Sequence, residues 1–333
     1  HSPVIAVHGG AGAMHAGGHA AADQEAWASA IEQAVLAGLV VLESRGSAIE
    51  AVAAAVHQME DDPLFNAGYG SVFTSQGDHQ LDAAIMCGKT QRAGAVSAVR
   101  HVRNPVRLAQ RILERGEFIL LTGDGAEEYA LECGVELVAN KYFSIPRRRA
   151  QLERARRAEI VALDHDAAFD TKHGTVGAVA LDAEGRLAAA TSTGGLTNKA
   201  FGRVGDSPLI GCGTYANDLT CAVSCTGKGE EFIRHVVAHD LHCLMAYRGL
   251  GLDEACRTVF TDRMGGGAGI GGLVAIDRHG NIACPFNTTG MYRGWARVDG
   301  TETVVGLFGD PEPSASESVE GGAVGTSEPE PQT

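Results

Sequence analysis

Positive charge is scarce in this sequence. Its 333 residues carry 27 Lys plus Arg against 41 Asp plus Glu, a formal net charge of −14, so most of the surface should repel nucleic acid and anionic lipid. Uninterrupted apolar runs of the ~18 residues needed to span a membrane are missing, and the first residues lack the charged-then-apolar pattern of a secretory leader. A disulfide framework is missing as well. The eight cysteines (Cys87, Cys133, Cys212, Cys221, Cys225, Cys243, Cys256 and Cys284) are too few and too scattered for this length, and they read as reduced thiols of a cytoplasmic protein. What is abundant is glycine, 44 residues, roughly twice the usual ~7%. No G-x-y period accompanies it, so collagen is excluded, and the glycines must serve turns and close backbone approaches. The length suits one large domain or two modest ones acting on a small molecule or peptide.

The opening Val4-Ile5-Ala6-Val7 reads as a buried strand running into a permissive loop at His8-Gly9-Gly10. Residues 21–59 have helical spacing and divide into two helices near Ser44-Arg45-Gly46. A turn-rich stretch from Asp61 to Thr74 should lead into strand. Strands are then expected at 81–88 and 93–99, with helices at 104–116 and 126–133 around a strand at 118–123. From Pro146 a basic run (Arg147, Arg148, Arg149, Arg154, Arg156, Arg157) should form an exposed helix, followed by a polar linker to about Lys172. Its interspersed Glu153 and the acidic whole argue against a nucleic-acid patch. Residues 311–333 hold five Glu, four Pro and no Lys, Arg or aromatic residue, the composition of a disordered acidic tail.

The densest signal lies at residues 173–195. Two apolar strands flank Ala183-Glu184-Gly185, whose glycine suits the left-handed position of a three-residue hairpin loop. Pairing Asp182 with Arg186 across that turn puts Thr193 opposite Thr175, and cross-strand partners stand ~4.5–5.5 Å apart at Cβ. Threonine is also simply a good strand residue. Downstream, Arg203 and Asp206 lie three apart in a glycine-rich loop. They read either as a local salt bridge or as a clamp for both ends of an amino-acid zwitterion. A strand from Cys221 then runs through Thr226-Gly227-Lys228-Gly229 into a helix, where backbone N–H groups suit an anion or a developing oxyanion.

Together HGTVGAVALD, TSTGG, GRVGDSP, SCTGKGE, PFNTTGMYR, VIAVHGGAGA and DPLFNAGYGSVF closely resemble the plant and bacterial-type L-asparaginases, or isoaspartyl (β-aspartyl) peptidases, over residues 4 to about 308. These are N-terminal-nucleophile (Ntn) hydrolases. The resemblance implies an α/β fold, a four-layer αββα sandwich. It implies self-cleavage between Gly174 and Thr175 into a 1–174 α subunit and a β subunit over 175–310, and a homodimer of such cleaved heterodimers. Thr175 would be the nucleophile, oriented by Thr193. The Thr226 hydroxyl and Gly227 N–H would form the oxyanion hole. Arg203, Asp206 and Gly229 would bind the zwitterion, Asn66 would match an active-site asparagine, and His8, Gly9 and Gly10 a mobile glycine loop concerned with self-cleavage. No catalytic cofactor is implied, but a structural sodium is, held by the backbone carbonyls of Met59, Glu60, Asp62, Phe65, Ala67 and Tyr69. The implied substrates are L-asparagine and β-aspartyl dipeptides, with neither nucleic acid nor membrane as partner.

The nearest rival is a glycosylasparaginase-like amidohydrolase, against which FNAGYGSVF and FNTTGMYR argue. A nucleotide-dependent enzyme built on Gly123-Asp124-Gly125-Ala126 lacks the third glycine of a dinucleotide fingerprint, Glu128 standing there. A binding protein using the His8-Gly9-Gly10 loop would, like that enzyme, stay uncut. His235, His239 and His242 share a helical face without the glutamate of a zinc motif, and Cys221 and Cys225 have no second pair at zinc spacing.

Overall fold

A nine-residue strand, β1 (Val4–Gly12), is buried along its whole length, because helices cover one of its faces and a second sheet the other, and both faces must therefore be apolar. It lies inside an eight-stranded sheet. The computed structural model describes residues 2–12, 21–158, 174–200, 202–264, 269–300 and 302–308; the expected linker beyond Ala158 and the expected tail lie outside them.

The large sheet comprises β1, β2 (Leu81–Cys87), β3 (Ala93–Val99), β4 (Leu120–Thr122), β5 (Val176–Leu181), β6 (Leu187–Thr193), β11 (Gly290–Arg297) and β12 (Val304–Gly306), in the order β12-β11-β1-β5-β6-β2-β3-β4. The small one holds β7 (Thr214–Ala216), β8 (Cys221–Gly227), β9 (Gly271–Asp277) and β10 (Ile282–Ala283), in the order β10-β9-β8-β7. Their inner faces meet through Val4, Ala6, Val179, Leu181 and Ala189 on one side and Val223, Cys225, Leu273 and Ala275 on the other. Outside the large sheet pack α1 (Ala21–Glu43), α2 (Ala48–Glu60) and α3 (Pro105–Arg115); outside the small one pack α6 (Gly229–His235), α7 (Val237–Arg248) and α8 (Leu252–Thr258). The result is the four-layer αββα sandwich.

The two helices expected over 21–59 form, divided at Arg45-Gly46. Ser47 opens α2 with a capping box: its hydroxyl accepts from Glu50 N while the Glu50 carboxylate accepts from Ser47 N, a motif that holds two otherwise unpaired donors. By length and mean hydropathy α1 is apolar enough to cross a membrane, which a count of unbroken apolar runs does not reveal. Its Trp27, Ile31, Val35 and Leu39 are instead buried in the core beneath the large sheet, each burial stabilising by ~1.5–3 kcal/mol.

Four local expectations need correction. β1 does not stop at His8: it continues to Gly12 and absorbs Gly9 as a β-bulge against β11, since β11 goes on supplying partners after the pairing with β5 ends at His8. The stretch after Asp61 stays a turn-rich loop with a short 3-10 segment at Gly68–Gly70 and a single bridge, Thr74 to Lys199. The helix at 126–133 starts earlier, as α4 (Gly123–Glu132), so the Gly-Asp-Gly run lies inside its first turn. His235 is separated from His239 and His242 by a break at Val236, whose φ is +49°. The eight cysteines are free thiols.

Candidate active site

The hairpin that carries the first candidate residues forms in the expected register. Asp182 N donates to Arg186 O at 3.0 Å, Gly185 has φ +74°, and the ladder runs from Leu181 opposite Leu187 back to Val176 opposite Ser192. One step further Thr175 meets Thr193, and the Thr175 hydroxyl donates to Thr193 Oγ1 at 3.2 Å. Gly195 N also donates to Thr193 Oγ1, at 3.0 Å. The strand alternation of β6 sorts the hydroxyls: Thr191 and Thr193 face the small sheet, whereas Ser192 donates to Glu60 Oε1 in α2 at 2.6 Å.

Thr175 lines a cavity of about 20 Å³ together with Gly174, Thr193, Gly195, Leu196, Arg203, Gly205, Asp206, Ser207 and Gly227. That space suits about one water and no amino acid. Next to Gly227, at the end of β8, the Thr226 hydroxyl is buried with no hydrogen-bond partner among the described residues. An orphaned buried hydroxyl is costly and asks for a ligand or a role.

Arg203 and Asp206 both reach this cavity but do not form the local salt bridge that their spacing allowed. Arg203 holds Glu230 bidentately, Nε to Oε1 at 3.0 Å and Nη2 to Oε2 at 3.0 Å. Asp206 is buried and its Oδ2 lacks a partner among the described residues. Burial pushes its carboxyl up to about 7, opposed by a backbone hydrogen bond and by the Arg203 charge. Gly229 starts α6 between them: a Cβ there would stand 2.8 Å from Asp206 Oδ1 and 3.0 Å from Arg203 Nη2, so only glycine lets both side chains converge.

His8 enters from β1. Its Nδ1–H donates to the Thr175 carbonyl at 3.0 Å, and its Nε2 lies 2.8 Å from Ser224 Oγ. A carbonyl only accepts, so the proton sits on Nδ1 and Ser224 donates to Nε2. Thr191 stands 2.7 Å from Ser224 and receives the Thr214 hydroxyl at 2.6 Å. This chain of hydroxyls, Thr214 to Thr191 to Ser224, crosses between the sheets and ends through His8 on the residue after the expected cleavage point. Burial pushes the His8 imidazole down to about 3, keeping it neutral. Gly9 and Gly10 lie further along the strand; Gly9 is covered by the Phe65 ring and Ile31, which a Cβ would meet at 2.5 and 2.9 Å.

Asn66 stands behind the cavity. Its Nδ2 donates to Gly195 O at 2.8 Å, its Oδ1 accepts from Val72 N at 3.0 Å, and its carbonyl accepts from Gly194 N at 2.9 Å. Of the carbonyl-bearing residues, Met59 and Glu60 close α2, and Asp62, Phe65, Ala67 and Tyr69 lie on the following loop beside Asn66; none of the six lines the cavity with Thr175. Ser224, Thr191, Thr214 and Glu230 were not singled out from the sequence, nor were two buried ionic groups behind the site. Lys199 donates to Gln80 O at 2.7 Å, and Asp82 stands opposite Thr193 in the sheet. Burial lowers the lysine's pKa and raises the aspartate's.

This assembly of hydroxyl, neighbouring donors, cation and carboxyl fits attack on a carbonyl held by a zwitterionic end. Comparisons with known proteins place the chain in a family. The chain is 49% identical over 303 residues to an isoaspartyl peptidase of Escherichia coli strain K12, covering 90% of this chain and 94% of the relative. It is equally identical over 303 residues to the isoaspartyl peptidase of Salmonella typhimurium, covering 90% and 97%. An isoaspartyl peptidase/L-asparaginase of Rattus norvegicus is 40% identical over 306 residues, covering 92% and 89%. A family model described as asparaginase matches residues 1–305, and the chain belongs to the asparaginase family.

Proposed function

We propose that this chain cuts itself between Gly174 and Thr175 and then hydrolyses L-asparagine and β-aspartyl dipeptides, releasing L-aspartate. The observation that carries the reading is the Thr175 hydroxyl bonded to Thr193 in one small cavity with Arg203 and Asp206. The names of the 40–49% identical relatives supply the substrate class.

A threonine hydroxyl is a weak nucleophile until a base adjoins it. Cleavage at Gly174 would create that base on the same residue. A free α-amine has an ordinary pKa of about 7.7–8.0, and burial lowers it, so the neutral amine takes the hydroxyl proton during attack and returns it to the leaving amine. Thr193 fixes the hydroxyl's direction. The unpartnered Thr226 hydroxyl and the Gly227 N–H receive the oxyanion, the Arg203 guanidinium takes the α-carboxylate, and Asp206 takes the α-ammonium. Gly174 lines the cavity, so its displacement after the cut would also enlarge a space that in the uncut chain is too small for an amino acid. The fragments would stay together afterwards, because β1 is hydrogen-bonded between β5 and β11, and β2 beside β6.

A structural sodium suits the loop after α2. Carbonyl oxygens of Phe65 and Pro63 close to 2.0 and 2.7 Å from where a Cβ on Gly70 would stand, and Glu60 O to 2.2 Å from one on Gly68. Glu60 Oε2 is buried without a partner among the described residues. A hard cation suits such oxygen donors; Met59, Glu60, Asp62, Phe65, Ala67 and Tyr69 would hold it, and it would stiffen the loop without entering the reaction. A cytoplasmic homodimer of cleaved heterodimers completes the proposal.

Denaturing mass spectrometry of purified protein tests it. Chains of 174 and 159 residues should appear without added protease, and their appearance should coincide with ammonia release from L-asparagine. Folded protein that stays intact and inert would overturn the reading.

A further inference from the structure

The basic run starting at Arg147 is not an exposed helix. It is α5 (Pro146–Arg157), and it buries Arg148, Gln151, Leu152 and Ala155 against the body. Three of its guanidinium groups donate to backbone oxygens of the body. Arg148 Nε donates to Gly70 O at 2.6 Å, and its Nη1 donates to Gln151 Oε1 at 3.1 Å. Arg147 Nη2 donates to Pro63 O at 2.7 Å and to Leu64 O at 3.1 Å. Arg156 Nη2 donates to Ser75 O at 2.5 Å, and the Arg149 guanidinium lies 4.9 Å from the centroid of Phe73. Apart from Gln151, which braces Arg148 from within α5, these partners fall in residues 63–75, the loop that contains Asn66.

The other side of that loop is stitched to the segment following Thr193. Gly194 N donates to Asn66 O, Asn198 N to Phe73 O and Ser75 N to Lys199 O, each at 2.9 Å. Asn66 Nδ2 donates to Gly195 O, and Gly195 N in turn holds Thr193 Oγ1. The order in space is therefore α5, loop 63–75, turn 194–199, Thr193, Thr175. A loop rich in unpaired carbonyls is costly to bury, and fixed cations on a helix satisfy it with charge-assisted bonds. The carbonyls taken, at Pro63, Leu64, Gly70 and Ser75, are none of those assigned to sodium.

We propose that α5 is a clasp that positions the Asn66 loop for catalysis, with Arg148 as its central positioning residue and Arg147 and Arg156 as its arms. The clasp rests on the hydrolase reading for its kinetic consequence only. It acts on Thr193 and not on the zwitterion clamp, which sits on a different segment. Loosening it therefore slows the chemical step and spares binding.

The test compares Arg148→Met, Arg148→Lys and the double variant Arg147→Ala/Arg156→Ala with wild type. Rates are normalised to the amount of free Thr175 N-terminus counted by mass spectrometry. Arg148→Met should lower kcat per processed site about tenfold and change KM by less than about twofold, in keeping with the sensitivity of attack geometry to small displacements. Arg148→Lys, which retains one charged donor, should recover part of the loss. The double variant, which keeps the buried arginine, should show a smaller kcat loss in the same direction and serves if Arg148→Met does not fold. Amide exchange at Val72, Gly194 and Gly195 should quicken in each variant that slows. Unchanged kcat per processed site with only a lower Tm, or a rise in KM at constant kcat, would reduce the clasp to a scaffold and overturn the proposal. If wild type neither cuts itself nor hydrolyses, the hydrolase reading fails separately. The exchange measurement then decides the clasp, and unchanged protection in Arg148→Met rejects it.

Discussion

The Nδ1–H of His8 donates to the main-chain carbonyl of Thr175 at 3.0 Å, so a side chain of β1 fixes the orientation of the residue that precedes β5. The bond is buried and is backed by Ser224, Thr191 and Thr214, hydroxyls that all donate toward it. Aligned hydrogen bonds in a low-dielectric interior reinforce one another. Deleting the imidazole leaves both the Thr175 carbonyl and the Ser224 hydroxyl without this partner, a cost of ~1–3 kcal/mol per unsatisfied group. His8→Ala should slow self-cleavage and lower Tm. His8→Asn, whose amide can stand where Nδ1 stands, should recover most of the cleavage rate, and equal rates for Ala and Asn would rule out the positioning role.

The titration of His8 gives a separate prediction. Its folded pKa is depressed to about 3 from an ordinary 6.5, so below pH 6.5 the unfolded chain takes up a proton that the folded chain refuses. Stability should consequently fall as pH drops from about 6.5 toward 3, by up to about 1.4 kcal/mol per pH unit from this residue. Urea unfolding of wild type and His8→Asn at pH 7.5 and 5 should show the larger loss in wild type. Self-cleavage should show no His8 titration between pH 5 and 8.

Thr193 and Thr226 divide the work around Thr175. The first accepts the Thr175 hydroxyl, and the second presents a buried hydroxyl without a ground-state partner among the described residues. Groups that gain a partner only in the transition state raise kcat rather than affinity. Thr226→Ala should therefore lower kcat by the ~2.7–4 kcal/mol typical of an oxyanion donor, with little change in Tm because no existing bond is lost. Stopped-assay kinetics on processed protein would measure this, and a pure KM effect would remove Thr226 from the oxyanion hole.

The hairpin was legible in the sequence because its determinants are local: a glycine able to adopt positive φ, two apolar strands, and a register set by the loop length. Thr175 opposite Thr193 followed from those alone, and the strand-to-helix turn at Gly227 already suggested an anion site, whereas the roles of the Thr226 hydroxyl and Asn66 came from resemblance. Ser224, Thr191 and Thr214 escaped notice because threonine and serine in β-strands carry no signal until two sheets are stacked. Arg203 was matched with Asp206, three residues away. Its partner Glu230 lies 27 positions on, brought near only when α6 starts beside the loop. The basic run looked solvated because the acceptors it finds on loop 63–75 are backbone carbonyls, which have no side-chain signature. Gly9 and Gly10 read as a loop because glycine usually breaks strands, yet here β11 keeps Gly10 in the sheet and leaves Gly9 as a bulge.

Asp206 links substrate binding to pH. Burial raises its carboxyl to about 7, so below that pH the free enzyme holds a neutral acid where the substrate brings an α-ammonium. KM should therefore rise as pH falls through 7, approaching about tenfold per pH unit as each substrate binding event must displace a proton. Asp206→Asn should have a high KM with no such inflection. A wild-type KM that stays flat from pH 8 to 5.5 would show that the carboxyl is already ionised in the processed enzyme.

Substrate choice tests the clamp as a unit. In L-asparagine and in β-aspartyl dipeptides the α-carboxylate and α-ammonium of the aspartyl residue are both free, and the bond to be cut lies on the side-chain carbonyl. An α-linked Asp-Leu has that carboxylate tied up in the peptide bond, which leaves the Arg203 guanidinium facing a neutral amide. A site built around a charged hydrogen-bond partner rejects an analogue lacking it strongly, by several kcal/mol. β-Asp-Leu and L-asparagine should be cleaved while α-Asp-Leu remains intact. Glutamine should be poor, since one added methylene carries its amide carbon past Thr175 once the zwitterion is seated. Glu230 already takes two donors on one edge of the Arg203 fork, so it orients the guanidinium and leaves the remaining donors for substrate. Arg203→Ala should raise KM steeply and leave self-cleavage intact, because the intramolecular step brings no zwitterion. Gly229→Ala should raise KM as well, by forcing Asp206 and Arg203 apart. Comparable rates on α- and β-linked Asp-Leu, measured side by side on processed protein, would mean that Arg203 and Glu230 form only a structural ion pair at the edge of the cavity.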